Sequence, residues 1–378
     1  MSAAIPDENI AMLSLVDGDG RLEVSLQRQP MPQLGDDDVL VEVRAAPVNP
    51  SDLFLLFAGV DVTAVEASRR DGLPLLTGTV PQAALRGLAG RIGQAMPIGN
   101  EAGGVVVRAG AAPEAQALLG RTVAIFGGAA YARYRALPAK MCLALPDGTA
   151  PEDGASCFVN PLTALGFVET VRRDGHKAII HTAAASNLGQ MLNRICIADR
   201  IPLVNVVRSE AQASLLREQG ARYVLDSSAP DFFDGLQAAI AETGATVAFD
   251  ATGGGKLGGR IVEAMEAVAV KRMTRYDRYG SDVFKQLYVY GALDLSLTMF
   301  NRGALGFQWS ISGWLLTHFL AKAGPDVVAR MRARVVAELT TTFASHYSHR
   351  ITLEQALDPQ IIAAYSAKRT GDKYLIVP

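Results

Sequence analysis

The sequence predicts an α/β protein of two domains, in which a β-rich domain is interrupted by a doubly wound parallel sheet and resumes at the C-terminus. Three observations predict it. Short apolar runs separated by Gly, Pro and acidic turns occupy the chain up to about Phe126, the pattern of strands joined by tight turns. From about Leu162, apolar runs alternate with amphipathic segments, the rhythm of strand and helix in a parallel sheet. The end, Tyr374–Val377, reads as a strand with no helix of its own, so it is expected to return to the first domain.

In chain order, the first domain is expected to hold strands at Leu22–Leu26, at Val39–Val43 after the acidic turn Asp36–Asp38, at Gly103–Arg108 and at Thr122–Phe126. The parallel sheet is expected from Ala178–His181, Leu203–Val207, Tyr223–Asp226, Thr246–Asp250, Leu287–Tyr290 and Phe307–Ile311. Ser209 is a candidate N-cap for a helix over Glu210–Gln219, with Gly220 just past its end. Val327–Leu339 is a long Ala/Arg/Val-rich segment. Two stretches fit no minimal layout: Val60–Ala95, without a clear period and expected to wall or lid a substrate pocket, and the polar, Tyr/Arg-rich Lys271–Lys285.

The 378 residues are 49% hydrophobic and 20% charged, enough to bury more than one core. Net charge is -2, and Lys and Arg are spread along the chain, which leaves no footprint for nucleic acid or anionic lipid. Met1–Gly20 carries Asp7, Glu8, Asp17 and Asp19 and no basic export signal, and no stretch reaches the roughly 18 apolar residues of a membrane span. The three cysteines, Cys142, Cys157 and Cys196, are far apart and odd in number, which suits a reducing, cytoplasmic compartment.

The chemistry concentrates after the first strand of the parallel sheet. Ala178–His181 is followed by Thr182-Ala-Ala-Ala-Ser-Asn-Leu-Gly189 and a helix expected from Gln190. Ala184, Ser186 and Gly189 take the three glycine positions of G-x-G-x-x-G, where small residues let the backbone approach a pyrophosphate on a helix N-terminus; Ala185, Asn187 and Leu188 complete the turn. A small-residue turn that merely packs helix on strand is the plain alternative, and strand before and helix after favour the dinucleotide reading. The second strand ends at Val206-Val207-Arg208-Ser209. An acidic side chain there would bond the ribose 2′-hydroxyl of NAD, whereas Arg208 and Ser209 suit a 2′-phosphate, so NADP(H) is the expected cofactor.

With these motifs in view, the chain resembles the medium-chain dehydrogenase/reductase superfamily, in its zinc-independent NADPH:quinone oxidoreductase-like branch. The matching runs, in order, are Val48-Asn49-Pro50-Ser51-Asp52, Pro97 to Val105 with Gly99-Asn100-Glu101, Gly120-Arg-Thr-Val123, Ala130-Tyr131-Ala-Arg-Tyr134, Asn160-Pro161-Leu162-Thr163-Ala164, and Thr370-Gly371-Asp-Lys373 to Pro378. The resemblance implies a GroES-like β-rich catalytic domain, 1–157 plus 323–378, an inserted Rossmann doubly wound parallel sheet domain, 158–322, and an active site in the cleft between them. It places Asn49 and Thr163 near the nicotinamide and Gly291-Ala292-Leu293 along its carboxamide. It also implies a homodimer made by pairing Phe307–Ile311 edge to edge with its copy, which would hide an exposed apolar edge.

Zinc members of the superfamily have Cys at or near the position of Asn49 and Gly-His-Glu where this chain has Gly99-Asn100-Glu101. The sulfur and imidazole ligands of a tetrahedral site are missing, so no metal is expected; His346 and His349 lack an evident third ligand. Without a metal, charge developing on the substrate oxygen must be met by hydrogen-bond donors or by solvent, which suits conjugated acceptors, quinones or enones. A 2-enoyl thioester is the second candidate substrate, although Leu53–Gly59 lacks the tyrosine that some enoyl thioester reductases carry there. A low-turnover NADPH-binding protein is the third reading. Tyr131 and Tyr276 are the candidate proton donors, with core packing as the alternative for each.

Overall fold

The computed structural model describes residues 5–378; Met1–Ala4, at the head of the stretch read as lacking an export signal, lie outside the described residues. The chain divides into two compact units, Met1–Val159 with Val335–Pro378, and Asn160–Arg334.

The first unit is built on two sheets. One is antiparallel, in the order Glu66–Arg70, Leu73–Thr79, Arg21–Pro30, Glu8–Val16, Met96–Pro97. The other runs Cys142–Ala144, Thr122–Phe126, Glu101–Ala109, Asp38–Pro47, Tyr374–Ile376, His349–Ile351, with Tyr134–Pro138 also paired to Asp38–Pro47. Period-two alternation turns Val39, Val41 and Val43 into the core with Val24, Ile98, Val123 and Ile376. The terminal strand pairs antiparallel with Asp38–Pro47 at Leu375 and Ile376, the return that its lack of a helix partner predicts.

The segment Val60–Ala95, read as a wall or lid, is folded into the first unit. It contributes the outer hairpin of the first sheet, because Asp71 and Gly72 both take positive φ (52° and 79°). That is the turn Asp-Gly favours between two strands. The hairpin lays Leu75, Leu76 and Thr77 opposite Ser25, Val24 and Glu23, and Leu73, Leu76, Val80 and Leu88 are buried in the core of the unit.

The second unit holds six parallel strands in the order Tyr223–Asp226, Leu203–Val207, Ile179–His181, Val247–Asp250, Lys285–Val289, Trp309–Gly313. Numbered along the chain, that order is 3-2-1-4-5-6, the doubly wound arrangement of dinucleotide-binding sheets. Ile180, Val204, Val206, Ala248 and Leu287 are buried at its centre. A two-stranded parallel pair, Gly253–Gly255 with Asp294–Thr298, lies beside it. The last strand starts two residues later than the sequence suggests, because Gly306 turns the chain in a left-handed conformation (φ 63°) and Trp309 is the first residue in register with Lys285. Phe307 is left 60% exposed ahead of it.

The unit also runs past residue 322. Trp314 packs edge-on against Phe167 at 4.7 Å and stacks on Phe319 at 5.5 Å. Arg334, on the helix Pro325–Ala337, pairs with Asp199 at 2.8 Å. Among the described residues no helix is long and apolar enough to cross a membrane.

Candidate active site

In the second unit, the first strand and its turn are tied to the fourth strand. The Thr182 hydroxyl donates to Asp250 Oδ1 at 2.6 Å and accepts from the Ala251 N–H at 2.8 Å. The Asp250 carboxylate also accepts from Thr252 and Gly253 N–H groups, at 2.8 and 3.1 Å. The turn then reverses at Ala183, which takes φ 50°, and Ala184 and Ala185 are buried. Ser186 caps the following helix, its hydroxyl accepting from the Gly189 N–H at 3.1 Å. That helix spans Asn187–Asp199 and so begins earlier than Gln190, because Ser186 is the N-cap and its hydroxyl takes up the N–H three residues on.

A Cβ on Gly189 would lie 2.2 Å from the Ala184 carbonyl oxygen. Glycine is therefore required for the close approach of helix to strand that the third motif position serves. Ala183, which the motif spacing passes over, carries the backbone strain of the turn; a run of three alanines gives no sign of which one adopts it.

At the end of the second strand Arg208 is exposed, and its N–H donates to Gln212 Oε1 at 3.1 Å. Ser209 caps the helix Glu210–Glu218, accepting from the Gln212 N–H at 3.4 Å. The Ser209 hydroxyl is thus engaged in its own helix, and the Arg208 guanidinium is the group at this position that faces solvent. After the fifth strand, Gly291, Ala292 and Leu293 lie against the loop leaving Asp250. Leu293 and Asp294 N–H groups donate to the Ala251 and Thr252 carbonyls at 3.2 and 2.9 Å, and a Cβ on Gly291 would stand 2.5 Å from Ala251 O. The turn, Arg208 and Gly291–Leu293 all stand at the carboxyl ends of the parallel strands, where such sheets bind ligands.

Thr163 is buried on the helix Val159–Arg173. One turn further on, Phe167 packs on Phe249 at 4.0 Å and on Tyr290 at 4.8 Å. Tyr290 O–H and His181 Nε2 are 2.7 Å apart. Burial holds His181 neutral, its imidazole pushed down to about 3, and pushes the Tyr290 phenol up.

In the first unit, Asn49 is buried at the start of the helix Pro50–Phe57. Its side-chain N–H donates to Glu101 Oε1 at 2.8 Å. Glu101 Oε2 accepts from the Phe158 and Val159 N–H groups at 3.0 and 2.8 Å, so this carboxylate sits on a helix start while orienting Asn49. Asp52 accepts from the Asn49 and Asn100 N–H groups, both at 2.9 Å. Burial, and to a smaller degree the neighbouring Glu101, push Asp52 up to about 7. Glu101 is raised chiefly by burial, against the Val159 N–H and Lys373. Sequence reasoning missed the structural part that Glu101 plays, although the run Gly99-Asn-Glu101 marks the position.

The two candidate proton donors lie in opposite settings. Tyr131 is 1% exposed in the core and donates its O–H to the Pro47 carbonyl at 3.0 Å, and burial pushes its phenol further up. Tyr276 is 85% exposed in the polar stretch after the helix Leu257–Lys271. His349 pairs with Asp372 at 3.8 Å and stacks on Tyr374. Among the described residues no group of three or more His, Cys, Asp or Glu side chains is arranged to hold a metal ion.

No known family profile matches the chain, and no curated protein matches it. Solved structures do. A protein assigned as an NADPH:quinone reductase from Mesorhizobium loti shares 25% identity over 100% of both chains, with a TM-score of 0.74. Another so assigned, from Bacillus thuringiensis, shares 18% over 98% of this chain and 99% of that one, at 0.71. An enoyl thioester reductase from Candida tropicalis, in mutant form, shares 17% over 98% and 100%, at 0.68. At the two lower identities the likeness is one of fold. The fold and site thus define a two-unit α/β protein with a dinucleotide-type sheet. Over its whole length the chain is similar to the branch of the medium-chain dehydrogenase/reductase superfamily that contains the quinone and enoyl thioester reductases.

Proposed function

We propose that this protein is an NADPH-dependent oxidoreductase that passes a hydride to the carbon-carbon double bond of a quinone or an enone. The observation that carries the reading is the 3-2-1-4-5-6 sheet with a small-residue turn and a capped helix after its first strand and an exposed arginine after its second. The residues fit NADPH. Gly189 leaves no room for a side chain between turn and helix, the N–H groups at the start of Asn187–Asp199 suit a pyrophosphate, and Arg208 suits the 2′-phosphate. Gly291–Leu293, held to Ala251 and Thr252, would present backbone to the carboxamide. When bound, NADPH supplies two electrons and a hydrogen as hydride.

The chain's own part is to orient and to polarise. Asn49, fixed by Glu101, and Thr163, fixed on its helix, are proposed to border the nicotinamide, and no metal is assigned a role. The Candida tropicalis likeness keeps a 2-enoyl thioester as second substrate. Against it, the helix Pro50–Phe57 buries Leu53, Leu56 and Phe57 and offers no hydroxyl beyond Ser51. A cytoplasmic homodimer completes the proposal, supported by the open edge of Trp309–Gly313.

The test is NADPH oxidation with a panel of quinones, enones and enoyl-CoA esters. Turnover of quinones or enones supports the reading, turnover of enoyl-CoA alone replaces the substrate class, and NADPH binding without turnover on any acceptor refutes catalysis.

A further inference from the structure

Reducing a conjugated carbonyl requires a proton as well as a hydride, and with Tyr131 and Tyr276 set aside the first unit holds another phenol in a built hydrogen-bonded chain. Tyr347 O–H and Ser156 Oγ are 2.8 Å apart, and Lys373 Nζ donates to the same Ser156 Oγ at 2.8 Å. Ser345 Oγ lies 3.5 Å from the ammonium, which sits 5.1 Å over the Tyr347 ring. Ser156 is 2% exposed, Tyr347 and Lys373 are half-buried, and the Tyr347 ring packs on Ala45, Ala155 and Leu375. Glu101, the carboxylate that orients Asn49, acts electrostatically on both Lys373 and Tyr347. The cluster and the residue assigned to the nicotinamide thus share Glu101 as a neighbour.

Resting on the proposed reductase function, we propose that Tyr347, Ser156 and Lys373 form the relay that supplies the proton in that reaction. Hydride addition at the β-carbon leaves two electrons as negative charge on the acceptor's enolate oxygen. The Tyr347 O–H bond breaks and its proton goes to the enolate. Ser156 passes its hydroxyl proton to the phenolate and takes one from the Lys373 ammonium. The neutral amine regains a proton from water, so the relay itself undergoes no redox change.

Burial holds Lys373 down to about 8 against the raising effect of Glu101, and pushes the Tyr347 phenol up. Other charged or titratable groups nearby include Cys157, whose thiol burial holds neutral, Asp153 beside it, His346 next to Tyr347 in the chain, and two surface pairs, Arg350 with Glu152 at 2.6 Å and His349 with Asp372 at 3.8 Å. Because Lys373 is charged below its midpoint, the relay is loaded at neutral pH and empties as pH rises through about 8.

The experiment compares wild type with Tyr347→Phe, Lys373→Met and Ser156→Ala, using NADPH and an enone, with melting temperature and NADPH affinity as controls for fold and cofactor site. The wild-type kcat is expected to fall above about pH 8. Tyr347→Phe should lose roughly 100-fold in kcat, the scale of general acid catalysis, with KM little changed, and Lys373→Met should lose the alkaline limb. Independently of turnover, acylation of Lys373 in the resting protein, followed by peptide mass spectrometry, should reach half its limiting rate near pH 8, well below an ordinary lysine. Folded Tyr347→Phe or Ser156→Ala protein with kcat within twofold of wild type, or a Lys373 labelling profile like that of a surface lysine, overturns the relay. Failure of the parent reading shows separately, as wild-type protein that oxidises no NADPH with any acceptor, and that result overturns both.

Discussion

Replacing Arg208 by Asp should invert the preference between NADPH and NADH. Arg208 closes the second strand beside the dinucleotide turn and is exposed, so its attraction for a 2′-phosphate operates in a largely solvated setting. Two unit charges about 4 Å apart interact by about 1 kcal/mol in water and about 4 kcal/mol at the effective dielectric of a protein surface. Exposure puts the wild-type contribution near the lower end, about 1.4 kcal/mol, which is tenfold in Kd. The introduced carboxylate would remove that attraction, add repulsion of similar size and accept from the ribose 2′-hydroxyl of NADH. The ratio of the two dissociation constants should therefore move by about 100-fold, or about 2.7 kcal/mol. Fluorescence titration of both cofactors at low salt, repeated at high salt, measures it, and the wild-type preference should shrink as salt screens the exposed charge. Equal wild-type affinities, or a variant whose ratio stays where it was, would refute the assignment of the 2′-phosphate to Arg208.

Four further outcomes are expected. Gly189→Ala drives a methyl to 2.2 Å from Ala184 O, an overpacking that should cost about 1–3 kcal/mol and lower Tm by roughly 2–4 °C for each, with NADPH affinity falling alongside; calorimetry showing an unchanged Tm would count against the turn geometry. His181 is held at about 3 by burial, below its unfolded value near 6.5, so the folded state takes up that proton reluctantly and stability is lost as pH falls from about 6.5 toward 3. Melting curves across that range should show His181→Phe less acid-sensitive than wild type, and parallel curves would argue otherwise. Tyr131→Phe should cost about 0.5–1.5 kcal/mol of stability for its lost bond to Pro47 O and leave kcat within twofold; a large loss of kcat in stopped-flow assays would restore Tyr131 to the chemistry. The open edge strand Trp309–Gly313 predicts a dimer by light scattering at micromolar concentration, and a monomeric mass there would leave that edge without its proposed partner.

Most of the parallel sheet was legible because its strands are continuous apolar runs, and burial on both faces demands that composition whatever the neighbours are. The cap at Ser209 and the glycine at position 189 were legible for the same reason: each answers a local backbone requirement within three to five residues. The hairpin of Val60–Ala95 was also local, announced by Asp71-Gly72, but a sequence period blurred by Pro74 and Gly78 concealed it.

Other features belong to the tertiary structure alone. Asn49 and Glu101 are 52 positions apart, Ser156 and Lys373 are 217 apart, and only chain closure brings each pair within 2.8 Å. The same holds for the fate of the tyrosines. The sequence holds ten tyrosines, of which Tyr131 and Tyr276 were read as candidate donors, and burial and partners give each its setting, sealing Tyr131 against Pro47 O, leaving Tyr276 in solvent and joining Tyr347 to Ser156. Local propensity and periodicity act over a few residues and so are written along the chain. Desolvation and long-range hydrogen bonds depend on what the fold packs around a group, and they exist only once it has folded.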